Sequence, residues 1–226
     1  MNNYYEKVLH SMKNTKRYES RIGCLHEALP CHCFSLIELA ELYHSKYGLN
    51  LDVNVAKNIA QNHDLGEYLK GDIDAGKIAH GKVSEKEKHE QELAAWAEIK
   101  KLVPEKLYEQ KHAYWEMFEN LDTLEAKYVK SLDKLEAILY MCEIGAQGFI
   151  SKEIDNACGM DEIDYDITAK YMDEAFKDFI SAISTKENAG DLKGFLGELK
   201  SVKEKLRIIY EKVGADWKEE YNYGMN

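Results

Sequence analysis

Proline is scarce in this chain, with two residues in 226, Pro30 and Pro104. Proline breaks helix interiors, so its scarcity leaves long helices uninterrupted. Runs of about 18 apolar residues, the length of a membrane-spanning helix, are missing, and no membrane partner is expected. The opening residues MNNYYEKVLH lack the apolar stretch of a secretory leader. Positive charge is also in deficit: 30 Lys and Arg against 41 Asp and Glu leave a formal net charge of −11. Such a chain repels polyphosphate backbones, which disfavours a nucleic-acid polymer as partner. A small phosphate ester stays open, because local cations or a metal override the global field. Cysteines number five, an odd count without a leader, so reduced thiols and a cytoplasmic location are expected.

What is present is helical periodicity. Hydrophobic residues make up 45% of the chain, enough for a sizeable core. Apolar residues at helix-like spacing predict helices over 34–47, 53–63, 84–102, 104–119, 122–144, 167–184 and 190–213. Ser84 with Glu87 reads as a capping box, and Pro104 suits a first turn. Strand-like alternation does not compete over any useful length. Residues 66–84 read as a loop over a site, 145–166 as a long loop within one domain, and the acidic run 161–166 as a solvated part of it. The tail beyond 214 reads as loosely held. The fold class is therefore all-α.

The chemistry gathers at few positions. His63 and Asp64 open the segment HDLGEYLKGDI. Glu67 follows Asp64 by three residues, so on a helix both face one way. Asp72 follows a glycine in the next loop. His32 lies upstream, at the start of the 34–47 helix. Asp133 falls inside an apolar pattern beside Leu132, Leu135 and Ile138, where a carboxylate needs a compensating charge. A divalent metal would supply it. Two imidazoles and two carboxylates suit Mn, Co, Fe, Ni or Zn better than Ca or Mg.

The order His, His-Asp, Asp resembles the HD-domain metal-dependent phosphohydrolases. HDLGEYLKGDI is similar to the HDLxExxxGDI motif of their 5′-deoxynucleotidase branch, and YWEMFENLDTLEAKYVKSLDKLEAIL to its LWEEYE…EAxxVKxLDKLExIL block. The resemblance covers about residues 10–145. It implies one HD domain over residues 1–226, a core of about eight to ten helices with a helical extension over about 146–226. It implies one divalent transition metal held by His32, His63, Asp64 and Asp133. Glu67 then matches the residue of general acid/base work, and Asp72 a second acidic site residue. Arg17 and Tyr18 fall where bacterial relatives carry an Arg-Trp pair, the Arg gripping phosphate and the aromatic crowding the sugar. The implied activity is hydrolysis of 5′-(deoxy)ribonucleoside monophosphates to nucleoside and phosphate, by a homodimer. Two departures stand out: Cys31 and Cys33 flank His32, where the branch has an acid and a serine, and Tyr18 replaces tryptophan.

Blander readings stay open at this level. Arg17 could be a solvated charge, Tyr18 a core aromatic and Asp72 a loop cap. A separate zinc site from Cys24, His26, Cys31, His32 and Cys33 lacks paired CxxC spacing. Competing functions are a phosphodiesterase using extra histidines such as His80, His89 or His112, a nucleoside triphosphohydrolase using Lys70, Lys77 and Lys82, and a non-catalytic HD-fold binding module.

Overall fold

The computed structural model describes residues 4–17, 27–73, 75–145, 162–213 and 216–225. Tyr18, Cys24, His26 and most of the expected 145–166 loop lie outside the described residues. Among the described residues there is no β-strand, only an isolated antiparallel bridge between Lys16 and Ala28. A wide helical turn, Tyr5–Leu9, leads into α1 (His10–Asn14). There follow α2 (Leu29–Tyr47), α3 (Val53–Asn62), a 3-10 turn (Leu65–Tyr68), α4 (Ala75–Ala79), α5 (Glu85–Lys100) and α6 (Glu105–Asn120). Next come α7 (Leu124–Gly145), α8 (Glu162–Ile183), α9 (Leu192–Val213) and a last 3-10 turn (Glu219–Tyr221). The all-α expectation holds.

Local chemistry explains the boundaries. α2 starts at Leu29, five residues before the expected start, because Pro30 sits in its first turn, where a missing N–H is not needed. That start carries His32 into the helix. α2 ends at Gly48, whose φ of 58° makes a left-handed cap. Asp52 caps α3 by accepting from the backbone N–H groups of Asn54 and Val55. The capping box of Ser84 and Glu87 forms on α5. Two expectations are corrected. Residues 66–84 are not all loop, since they include most of the 3-10 turn and α4, and residues 162–166 of the acidic run are helical. In the latter case, aliphatic Ile163 and Ile167 at i, i+4 continue the helical period of α8 upstream.

α7 is the hub, packing against α2, α3, α6, α8 and α9, while α4 packs on α8. The main core joins Leu36, Ile59, Val129 and Leu132 to Phe176, Phe179 and Phe195. A second cluster unites Val8, Met12, Leu65, Trp96 and Trp115. The chain passes from the first cluster at Ala60 to the second at Leu65, and His63-Asp64 lies at that crossing. Gly66 lets α5 come close: a Cβ there would stand 3.2 Å from the Glu92 Cβ.

The tail is held, contrary to expectation. Tyr221 is buried, and Trp217 packs edge-on against Tyr210 and Tyr221. Lys203, fully buried, pairs with Asp173 and donates to the carbonyls of Tyr221 (2.6 Å) and Tyr223 (2.7 Å). The sequence hid this because the anchor is one lysine of a charged helix. Lys203→Met strands a buried carboxylate and is expected to cost about 3–5 kcal/mol of stability. Urea unfolding measures it; a loss under about 1 kcal/mol, the scale of an exposed pair, would mean that aromatic packing alone holds the tail.

Candidate metal centre

His32 reaches the centre from the first turn of α2. The segment 15–17 pairs with 27–29: Leu29 N–H donates to Thr15 O (3.0 Å) and Arg17 N–H to Glu27 O (2.8 Å). This sets Arg17 beside His32. His63 caps the C-terminus of α3, where its Nδ1 lies 2.8 Å from Ala60 O. A carbonyl only accepts, so Nδ1 carries the proton and Nε2 presents a lone pair. Asp64 leaves the helix with φ −100° and ψ 9°, turning its carboxylate back toward both histidines. Asp133 comes from the middle of α7.

The four side chains converge. His32 Nε2 is 3.2 Å from Asp133 Oδ1 and 3.7 Å from Asp64 Oδ2, and His63 Nε2 is 3.0 Å from Asp64 Oδ2. One ligand atom from each of His32, His63 and Asp133 fits within 4.8 Å of the others. His32, His63 and Asp133 are buried. Both Nε2 atoms are buried without a hydrogen-bond partner. Two ring nitrogens aimed at two carboxylates in a buried space are the donor set a divalent transition ion fits, the ion replacing the proton that the carboxylates favour on His32. Charge balance agrees. Burial and Arg17 push the His32 imidazolium down, but Asp133 and Glu136 outweigh them and raise it to about 9. Burial pushes Asp64 up, and His63 and His32 more than offset it, holding it well below the usual carboxylate range. The pocket thus demands positive charge.

Behind His32 stands a carboxylate that the sequence reading did not single out. Glu136 Oε2 lies 2.6 Å from His32 Nδ1, and Glu136 is buried. Such a partner holds the ring with Nε2 forward. Arg17, only 11% exposed, brings Nη1 within 2.6 Å of the same His32 Nδ1, 3.1 Å of Glu27 and 3.3 Å of Glu136, while Nη2 is 4.0 Å from Asp133 Oδ1. Arg17 is therefore not a solvated charge. The signals available for Glu136 were its place three residues after Asp133, on the same helical face, and its letter in the LDKLExIL block.

Glu67 is buried on the 3-10 turn, its Oε2 without a hydrogen-bond partner. Burial, then the nearby charges of Asp64 and Asp72, raise its carboxyl well above its ordinary value, against the pull of Lys88. Its environment therefore favours the acid form over the carboxylate. Asp72 is half-buried beyond Gly71, near enough to act on both Glu67 and Lys88. Cys33 is buried with its sulfur within 4.8 Å of ligand atoms of His63 and Asp64. Burial and Asp64 push its thiol well up, so it stays a thiol. His89 and His112 belong elsewhere. His89 stacks on Trp115 and His112 packs against Trp96 and Tyr108. Among the described residues neither enters a ligand cluster.

The sequence model of the HD domain family matches residues 9–173. The 5′-deoxynucleotidase of Mus musculus is 32% identical over 132 residues, 58% of this chain and 61% of that protein. That of Bos taurus is 29% identical over 164 residues, 72% and 73% of the two chains. That of Schizosaccharomyces pombe is 40% identical over 89 residues, 38% and 43%. Among solved structures, a predicted metal-dependent phosphohydrolase from Magnetospirillum magnetotacticum superposes with a TM-score of 0.61 at 16% identity, over 94% of this chain and 97% of that one. That likeness speaks for the fold alone.

Proposed function

The chain belongs to the HD-domain family, and we propose that it is a metal-dependent phosphomonoesterase that releases phosphate from 5′-(deoxy)ribonucleoside monophosphates. The observation that carries this reading is the pair of buried, unpartnered Nε2 atoms of His32 and His63 facing Asp64 and Asp133. The names of the mouse, cattle and fission-yeast relatives support the substrate class. The two-His, two-carboxylate set favours a single ion over a multinuclear phosphodiesterase site.

His32, His63, Asp64 and Asp133 would hold the ion. Bound there, a divalent transition ion would supply Lewis acidity, acidifying water and neutralising charge on the phosphoryl oxygens. Glu67, whose acid form burial favours, carries a proton to the departing 5′-oxygen and then serves as a base for the next water. Glu136 holds His32 in the tautomer that presents Nε2. Arg17 and Tyr18 belong to the substrate side of the proposal, with Arg17 reaching the phosphate past Asp133, and Asp72 orients the sugar or the water at the mouth. The reading takes residues 1–226 as one domain, working as a homodimer in the cytoplasm; no helix among the described residues is long and apolar enough to cross a membrane.

A phosphate-release screen over ribo- and deoxyribonucleoside mono- and triphosphates, with Mn, Co, Ni and Zn supplied in turn, tests this. Release from monophosphates is expected, with loss on chelation and recovery on metal return. Preference for triphosphates, or no release with any ion, would reject it.

A further inference from the structure

A phosphate monoester brings about two negative charges to a chain whose net charge is already −11. Three lysines approach the metal centre from two helices, Lys88 outside the matched motifs and Lys130 and Lys134 within the VKxLDKLE block. Lys88, in the first turn of α5, lies 3.7 Å from Glu67 Oε1 and 3.7 Å from Glu92 Oε1. Lys134, on α7, lies 2.8 Å from Asp133 Oδ2, while His32 and Arg17 face Oδ1. Lys130, one turn earlier on the same face of α7, sits 4.4 Å from the Phe118 ring centroid, and that ring lies 4.8 Å from the His63 ring. Each lysine thus touches the centre, or a side chain packed on it.

These are not ordinary surface lysines. The Lys88 and Lys134 side chains are 29% and 27% exposed, and Lys130 is half-buried, whereas Lys86 is 84% exposed and Lys170 64%. Gathering ammonium groups away from water has a cost. Burial first, then Lys134, with Lys88 adding, push Lys130 down to about 8, against the pull of Asp133 and Glu119. A docked anion offsets that repulsion. Compact ammonium groups suit a tetrahedral phosphate approached from several sides.

We propose that Lys88, Lys130 and Lys134 form the phosphate subsite of this centre, holding the phosphate of the substrate and the inorganic phosphate product opposite Arg17. This rests on the phosphomonoesterase reading above and adds its anion-binding residues. The acidic chain admits a phosphate because α5 and α7 set cations against the carboxylates of the centre. Lys88 also sits between the phosphate and Glu67, so the acid and the anion share one cation.

Calorimetric titration of inorganic phosphate into the metal-loaded protein tests the subsite without turnover. Wild type, Lys88→Met, Lys130→Met and Lys134→Met are compared, with Lys130→Arg as the charge-retaining variant and exposed Lys170→Met as a remote control. Metal content and a melting curve establish that each variant is folded and loaded; a Met variant that fails is replaced by its Gln counterpart. The three neutral variants are expected to bind phosphate about tenfold or more weakly, as for a lost charge-assisted contact. Lys130→Arg and Lys170→Met should bind within about threefold of wild type, well under the loss of a charge-assisted contact. Unchanged phosphate affinity in all three neutral variants, or no phosphate binding by wild type, overturns the subsite. Phosphate binding that depends on the lysines, in a protein that releases phosphate from no monoester, would instead overturn the activity and leave the subsite standing.

Discussion

With Glu67 replaced by glutamine, the protein folds and binds its divalent ion, and turnover of a deoxynucleoside monophosphate falls about 10²–10⁴-fold. Glutamine keeps the shape of the side chain and removes the only thing asked of it, a transferable proton. Glu67 is buried, lies outside the His32, His63 and Asp133 cluster, and has one carboxylate oxygen without a hydrogen-bond partner. Its acid form is favoured by burial and by Asp64 and Asp72. The loss should appear in kcat, with KM within about threefold, because a proton transferred only in the transition state does not help substrate bind. Steady-state kinetics, with metal content and a melting curve on the same preparation, read the outcome. Wild-type kcat in a fully loaded Glu67→Gln protein would remove Glu67 from the chemistry.

Glu136→Gln acts one step further back. The Glu136 carboxylate lies 2.6 Å from His32 Nδ1 and is also a counter-charge to Arg17 at 3.3 Å. Without the negative charge, the imidazole is a poorer donor to a cation and Arg17 loses one of its two closest carboxylates. Metal affinity is expected to fall about 10–100-fold, measured by competition with a chromophoric chelator, with activity restored at saturating metal. Affinity equal to wild type would mean that Glu136 only fills space. Incomplete recovery at saturation would assign Arg17, disturbed by the change, a direct part in substrate binding.

The candidate centre was legible unevenly. His63, Asp64 and Glu67 lie within five residues, so one motif exposed them, and Asp133 betrayed itself as an acid in an apolar helical face. Glu136 has the same placement three residues later, yet nothing local separates a brace from a salt bridge. Lys130 and Lys134 stood in the matched block and Lys88 among the other basic residues, but none carried a role, because their meaning comes from the contacts with Asp133, Phe118 and Glu67 that only the folded chain makes. The tail misled for a similar reason: its polar residues look solvated until Lys203 is found beneath their carbonyls.

By itself the sequence determined the helical class and the capping box of α5, and offered two imidazoles and two carboxylates as the candidate ligands, since periodicity, capping and donor chemistry act over a few residues. Tertiary packing alone decided that His32 and His63 turn their Nε2 atoms toward Asp64 and Asp133, that Arg17 stands behind His32, and that Lys88 and Lys134 pair with Glu67 and Asp133. Those facts depend on pairs up to 119 residues apart, such as Arg17 with Glu136, which the chain brings within hydrogen-bonding distance only when α2, α3 and α7 bury their apolar faces together.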